Sequence, residues 1–153
     1  MNVDHVVMGT DNAITAIPQR AWRVARSLVG TRFRLHGRCA EHGLDCVGLI
    51  SLCYRNAGHD FIDPPGDYRL RDGSVDHING ILTSAGFSQL VDPSVELGDI
   101  ALVELRPGRF HLLMIGEQSC IHAHAGLRRV VEAPYAAYAP MTNRWRLDDP
   151  ISQ

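Results

Sequence analysis

"GLDCVGLISLCYRNAG", residues 43–58, has the pattern of an amphipathic helix that begins at a cysteine and ends before a glycine. Apolar residues recur at helical spacing from Cys46 onward, and Gly58 is a typical helix-terminating residue. A cysteine at such a helix start is either a small core residue or a nucleophile on a helix tip. The predicted buried stripe consists of Cys46, Leu49, Ile50, Cys53, Tyr54 and Ala57.

Two further helices are predicted on either side of this one. Pro18 suits a first helical turn, apolar residues follow at helical spacing to Leu28, and Gly30 is a stop signal. Residues 31–44 are predicted as a loop, and residues 59–73 as a surface loop rich in Pro, Gly and Asp. A third helix is predicted at about residues 75–85, and Asp92-Pro93 breaks the chain.

The second half of the chain changes to a strand pattern. Short apolar runs are separated by short turns, which is typical of an antiparallel meander. Helices followed by a meander predict an α+β fold, with N-terminal helices packed on a C-terminal antiparallel sheet. We expect one domain over residues 16–153, preceded by an arm of residues 1–15. The predicted strands are residues 99–105, 110–116, 119–125 and 128–133.

Composition excludes several classes of partner. The formal net charge of the 153 residues is −2, so no basic surplus favours nucleic acid. No apolar run is long enough to span a bilayer. The first 19 residues lack a basic region followed by an apolar region, so we expect no signal peptide and synthesis in the cytoplasm. In that reducing compartment the four cysteines are expected to be free.

Cys46 carries the strongest chemical prediction. The positive end of the helix dipole stabilises a thiolate and lowers the thiol pKa. The first-turn amides also lack partners within the helix and can hold an oxyanion. The alternative is core packing, since free cysteine is among the most buried residue types. Core packing is the better explanation for Cys53, and we expect Cys39 and Cys120 to be structural or incidental.

Three histidines lie in the predicted meander. His111 opens one strand, and His122 and His124 are two residues apart on the next, so they share a face. A thiol nucleophile needs an imidazole as acid and base, and a third polar group to orient it. Two alternatives remain, a half-exposed structural role and a three-histidine zinc site. The zinc site leaves the Asp45-Cys46 pair unexplained.

Five ordered motifs resemble the NlpC/p60 family of cysteine peptidases: "GTRF", "LDCVGL", "LGD", "HLLMIG" and "IHAHAG". The resemblance spans about residues 18–132. It implies a papain-like fold and cleavage of peptidoglycan stem peptides, commonly between D-γ-glutamate and the diamino acid, with no metal or cofactor. By position, Cys46 resembles the nucleophile, His111 the base and His122 the orienting residue, with His124 as the alternative. Asp45 resembles an acidic residue that helps bind the substrate's amine end.

Some features depart from the family pattern. Val47 stands where many members have serine, and Phe33 stands where many have a tyrosine whose hydroxyl lies near the thiol. One residue is missing between His111 and "IHA". Val47 and Phe33 keep open a catalytically weakened module for assembly of a phage-like tail. An amidase or transacylase on the same fold also stays open, because those enzymes use a cysteine–histidine pair too.

The ending "IHAHAGLRRVVEAP", with Trp145 near the C-terminus, resembles the branch encoded among tail genes of phages or gene transfer agents. This resemblance implies packaging in a phage-like tail, tail proteins as partners, and local opening of the cell wall.

Overall fold

The computed structural model describes residues 16–64, 75–138, 141 and 143–149. The predicted arm at residues 1–15 and part of the predicted surface loop lie outside these residues. The described residues form three α-helices: α1 (Ile17–Ser27), α2 (Cys46–Asn56) and α3 (Val75–Ser84). None of the described helices is long and apolar enough to cross a membrane.

Helix α2 is the centre of the core. Every residue of its predicted stripe is buried, and Gly58 adopts a φ of +100° just past the helix end, as a helix-terminating glycine does. Val47, Gly48 and Ser51 are also buried. The Gly37 carbonyl of the preceding loop lies against Gly48, and the Ser51 hydroxyl donates to Asp63. The helix is therefore held between the sheet and this loop.

A six-stranded antiparallel sheet packs against the helices. The strands are β3 (Phe87–Gln89), β4 (Ile100–Arg106), β5 (Arg109–Ile115), β6 (Ser119–His124), β7 (Arg129–Pro134) and β8 (Asn143–Leu147), in the order β3-β8-β4-β5-β6-β7. The α+β prediction is confirmed, and so are the four predicted strands. The sequence pattern does not predict β3 and β8. The loop before α2 adds a small hairpin, β1 (Arg38–Cys39) with β2 (Gly43–Leu44).

Residues alternate between the two faces of this sheet. The helix-facing side carries the cluster that includes Leu112, Met114 and Ile121, which pack in the same core as α2. The outer side carries a second cluster of Ala101, Val103, Leu113, Ile115, Cys120 and Met141.

Strands β5 and β6 pair over only part of their length. Registered pairs join Met114 to Ile121 and Ile115 to Cys120, next to the turn. By contrast, β4 pairs with β5 through His111, and β6 pairs with β7 through His124. A gap therefore opens between β5 and β6 at the end that carries these histidines.

Gly48, in the first turn of α2, lets the preceding loop approach the helix closely. A Cβ atom at this position would lie 1.9 Å from the carbonyl oxygen of Gly37. This oxygen belongs to the backbone and cannot rotate away, so only glycine fits. Close packing against the loop therefore explains why the "LDCVGL" motif has a glycine at residue 48.

We predict that Gly48→Ala lowers the free energy of unfolding by about 1–3 kcal/mol, the usual cost of overpacking. Gly80→Ala is the matched control, because it is also a helical glycine but a Cβ atom there would have no neighbouring atom within 4 Å. The control should gain up to about 1 kcal/mol from helix propensity. Urea unfolding measures the free energy of unfolding of both variants, and equal values would contradict the close contact at Gly48.

Candidate active site

Asp45 caps the start of α2 and is almost completely buried, with 3% of its surface exposed. Its Oδ1 accepts the backbone N–H of Gly48 at 2.8 Å, and its Oδ2 accepts that of His36 at 2.8 Å. The guanidinium of Arg38 adds an ion pair at 3.2 Å to Oδ1. Both oxygens are thus engaged within the protein, and the carboxylate has almost no surface to offer to a substrate amine.

The Cys46 thiol lies at the first turn of α2 and is 4% exposed. Burial raises its pKa to about 12, and the adjacent Asp45 carboxylate contributes to this rise in pKa. Backbone hydrogen bonds from Leu112, Val47 and Cys46 itself act in the opposite direction without overcoming burial. The sequence-based expectation of a lowered pKa is therefore wrong, because desolvation outweighs the helix dipole here.

The sulfur of Cys46 faces the gap between β5 and β6. A backbone hydrogen bond that lowers a thiol pKa must come from an N–H donor, so the Leu112 amide points at the sulfur. Amides alternate in direction along a strand, and that of Ile115 bonds to Asp99 on the β4 side. The Leu112 amide therefore points to the β6 side, where no registered partner on β6 faces it.

His111, His122 and His124 form one cluster. Ring centroids are 6.0 Å apart between His111 and His122, 6.4 Å between His111 and His124, and 5.3 Å between His122 and His124. His111 lies opposite Val103 in the β4–β5 register, which assigns it to the outer side of the sheet. Burial lowers its pKa, and the nearby His124 and Arg109 lower it further.

His122 is fully buried and contacts a tyrosine that no sequence pattern predicts. Its Nε2 lies 2.8 Å from the Tyr138 hydroxyl, and its Nδ1 has no hydrogen-bond partner among the described residues. Burial, followed by the neighbouring His111 and His124, lowers the pKa of His122 to about 3. His124 is half-buried, and its Nδ1 accepts the Leu127 N–H at 3.0 Å.

The described structure brings the three histidines together but does not hydrogen-bond them to the nucleophile candidate. No hydrogen bond joins Cys46 Sγ to a His111 nitrogen, although the sulfur faces the amide of the next residue, Leu112. Phe33 packs on the helix-facing cluster, and its backbone pairs with Leu44 beside the start of α2. All four cysteines are free, as predicted.

Within the part of the chain that the structure describes, no group of three His, Cys, Asp or Glu side chains is arranged to hold a metal ion. The Nε2 of His122 is also engaged by Tyr138. This geometry gives no support to the zinc alternative for the three histidines.

The sequence matches no protein-family model and no curated protein. The fold is similar to that of NlpC1 from Trichomonas vaginalis, with a TM-score of 0.63 and 19% identity over 87% of this chain and 46% of that one. The NlpC/p60 domain of the peptidoglycan hydrolase SagA has a TM-score of 0.57 and 20% identity, over 86% of this chain and 98% of that one. The peptidoglycan hydrolase RipB from Mycobacterium tuberculosis has a TM-score of 0.54 and 19% identity, over 92% of this chain and 72% of that one. These likenesses establish the predicted papain-like fold of NlpC/p60 type.

We predict that the free energy of unfolding decreases as the pH falls from 6.5 towards 3. The pKa of His122 is lowered in the folded state, so the unfolded chain binds more protons in this window and gains stability relative to the fold. His122→Gln should make the pH dependence shallower whatever its effect at neutral pH, whereas His42→Gln, at an exposed loop position, should not. Urea unfolding across the window measures both slopes, and an unchanged slope in His122→Gln would contradict the assignment.

Proposed function

We propose that this protein is a cysteine peptidase that hydrolyses an amide bond in peptidoglycan stem peptides, at the bond between D-γ-glutamate and the diamino acid. One observation carries the proposal: a free cysteine on the capped first turn of a helix faces a strand gap beside a three-histidine cluster. The fold supports it, since SagA and RipB, whose folds are similar, are described as peptidoglycan hydrolases. The bond is the one implied by the sequence resemblance.

The proposed reaction starts from a neutral thiol and a neutral imidazole. With a pKa of about 12, the Cys46 thiol is protonated at neutral pH, whereas the lowered pKa of His111 keeps its ring neutral and able to accept a proton. His111 therefore acts as a general base while the sulfur attacks the carbonyl carbon. This differs from a preformed thiolate–imidazolium pair.

The rest of the cycle follows from the same groups. The amides of Cys46 and Val47, which lie beside the sulfur, stabilise the oxyanion of the tetrahedral intermediate. His111 then gives its proton to the leaving amine, and the acyl group stays on the sulfur. His111 next removes a proton from water, which attacks the thioester; the acid is released, and the departing Cys46 sulfur takes the proton back from His111. No metal or cofactor takes part in this scheme.

His122 is the proposed orienting residue for His111, with His124 as the alternative. The ring of His122 is fixed in orientation more firmly than that of His124, since His122 is fully buried and hydrogen-bonded to Tyr138. Because no hydrogen bond joins the sulfur to His111 in the described structure, a side-chain rotation at the β5–β6 gap must bring them together. Catalytic hydrogen bonds are often long before substrate binds.

We further propose that the enzyme opens the wall locally as part of a phage-like tail, with tail proteins as its partners. This role rests on the resemblance of the "IHAHAGLRRVVEAP" ending alone. Trp145 does not add to it, because this side chain is fully buried and its indole N–H donates to Asn79 at 2.9 Å. Mass spectrometry of purified tails would test the role.

Two alternatives make different products from the same site. An amidase or transacylase would use the same cysteine and histidines on another bond or acyl acceptor, and an added amine nucleophile would reveal acyl transfer. A catalytically weakened assembly module is favoured by the buried, protonated thiol, and it would release no product.

We predict that the protein cleaves purified muropeptides and exposes a new amino terminus on the diamino acid. Cys46→Ala should abolish cleavage, since the residual rate without the nucleophile is several orders of magnitude lower. Cys39→Ala, which removes another free thiol, should retain it. Mass spectrometry of the digests identifies the bond, and equal cleavage by wild type and Cys46→Ala would refute the proposed nucleophile.

We predict different pH dependences for thiol reactivity and for catalysis. Without substrate, iodoacetamide should modify Cys46 slowly near neutral pH, with a rate that rises about tenfold per pH unit as the thiolate fraction grows. Peptidase activity should instead persist below pH 6.5 and fall only when His111 is protonated, because its pKa is lowered. Rapid alkylation below pH 8, or an acid limb with a midpoint above 6.5, would contradict the general-base scheme.

A further inference from the structure

Tyr138 contacts the ring of His122 on the outer side of the sheet. The two rings are nearly perpendicular, with centroids 5.2 Å apart, and the Tyr138 hydroxyl lies 2.8 Å from His122 Nε2. The Tyr138 N–H donates to the Tyr135 carbonyl, and the Tyr135 N–H donates to the carbonyl of Gln118, just before β6. Both tyrosines pack on the outer cluster of the sheet. The hydroxyl therefore reaches His122 from a turn that is anchored to the sheet.

Both partners of this hydrogen bond are uncharged at neutral pH. Burial lowers the pKa of His122 to about 3, and burial also raises the pKa of Tyr138. A neutral imidazole has one donor and one acceptor nitrogen, and the bond made by one nitrogen decides which of them carries the proton. If the hydroxyl donates to Nε2, the proton lies on Nδ1. If Nε2–H donates to the hydroxyl oxygen, Nδ1 is an acceptor.

Burial favours the second of these two tautomers. His122 Nδ1 is buried and has no hydrogen-bond partner among the described residues, so a proton there would be a buried donor without an acceptor. Tyr138 is only half-buried, so its hydroxyl can accept from His122 and donate its own proton to water. The proton of His122 is then on Nε2, and Nδ1 presents a lone pair inside the histidine cluster.

The proposed general base needs such a lone pair behind it. While one nitrogen of His111 takes the thiol proton, the other carries an N–H that an orienting group must accept. His124 does not offer an acceptor, because its Nδ1 already accepts the Leu127 N–H and the neutral ring therefore carries its proton on Nε2. Of the two β6 histidines, His122 is the one that can accept from His111, whose ring centroid lies 6.0 Å away.

We propose that Tyr138 is a positioning residue for the reaction: its hydroxyl oxygen accepts the Nε2–H of His122 and keeps Nδ1 as the acceptor that orients His111. This inference rests on the proposed function, in which His111 is the general base, and adds a residue and a tautomer to it. Without the hydroxyl, the proton of His122 can move to Nδ1, which then presents a donor to His111. Cys46 stays in place, so the loss falls on kcat rather than on KM.

Steady-state kinetics of Tyr138→Phe test this role, because the change removes the hydroxyl and keeps the ring. We expect kcat on muropeptides to fall about tenfold, the effect of losing one hydrogen bond in the site, while KM stays within about twofold. Tyr135→Phe is the matched control, since Tyr135 packs on the same cluster and its hydroxyl has no hydrogen-bond partner among the described residues. The control should leave kcat and KM unchanged. Wild-type kcat in Tyr138→Phe would overturn the proposal.

Heteronuclear NMR of protein with isotope-labelled histidine reads the tautomer directly, because protonated and unprotonated ring nitrogens differ in chemical shift. The signals of His122 are identified by their absence in His122→Gln. In the wild type and in Tyr135→Phe, Nε2 of His122 should carry the proton, whereas in Tyr138→Phe the proton should shift towards Nδ1. A wild-type His122 protonated on Nδ1, or an unchanged tautomer in Tyr138→Phe, would overturn the proposal.

The two measurements distinguish failure of this role from failure of the proposed function. If the wild type releases no product but Tyr138→Phe still changes the tautomer of His122, the positioning role stands and the peptidase assignment falls. If the wild type cleaves and Tyr138→Phe changes neither kcat nor the tautomer, the positioning role falls and the peptidase assignment stands. If Tyr138→Phe lowers both the Tm and kcat but leaves the tautomer unchanged, the hydroxyl is merely structural and the positioning role falls.

Discussion

The buried carboxylate of Asp45 fixes where α2 begins, and the position of Cys46 follows from it. One oxygen holds the Gly48 amide of the helix, and the other holds the His36 amide of the preceding loop. A carboxylate this deeply buried is costly unless it is paired and hydrogen-bonded, and Arg38 supplies the opposite charge. Loop and helix thus share one acceptor, so neither can shift without leaving a buried charge unsatisfied.

The same cap works against ionisation at the neighbouring residue. The carboxylate that positions Cys46 also opposes loss of the proton from its thiol, and burial opposes it more strongly. Donors from the helix and from Leu112 offset only part of this effect. The site therefore holds a positioned thiol rather than a thiolate, and in the mechanism that we propose a neutral imidazole activates it. Burial lowers the pKa of His111, the residue that we propose as this base.

The sequence predicted the parts of the fold that have a local signal. The apolar stripe of α2 and the four meander strands have clear periodicity. Strand β8 has no such signal, because it is held by distant partners such as Asn79, which accepts from Trp145, and Asp99, which binds Arg146. Its insertion between β3 and β4 depends on long-range contacts that no nearby residue encodes.

As with the fold, only those parts of the candidate site that have a local sequence signal were predictable. The spacing of His122 and His124 assigned them to one face of a strand, but which face it was depends on the register with β5 and β7. Tyr138 lies just beyond a short 3₁₀ turn at Tyr135–Ala137, where no periodic pattern marks a partner for His122. The raised thiol pKa was also missed, because a sequence shows that a helix begins at Cys46 but not how completely the sulfur loses water.

The gap between β5 and β6 reconciles two facts that would otherwise conflict. Cys46 belongs to the core on the helix-facing side, whereas the histidines lie on the outer side, and a continuous sheet would separate them by its backbone. The turn end of β5–β6 is held closed, since the Gly116 N–H donates to the Ser119 carbonyl at 2.7 Å and the registered pairs lie next to it. With that end fixed, the strands separate only at the other end, where the Leu112 amide turns to the sulfur instead of to β6. In the mechanism that we propose, this opening is where a thiol from one face and an imidazole from the other exchange a proton.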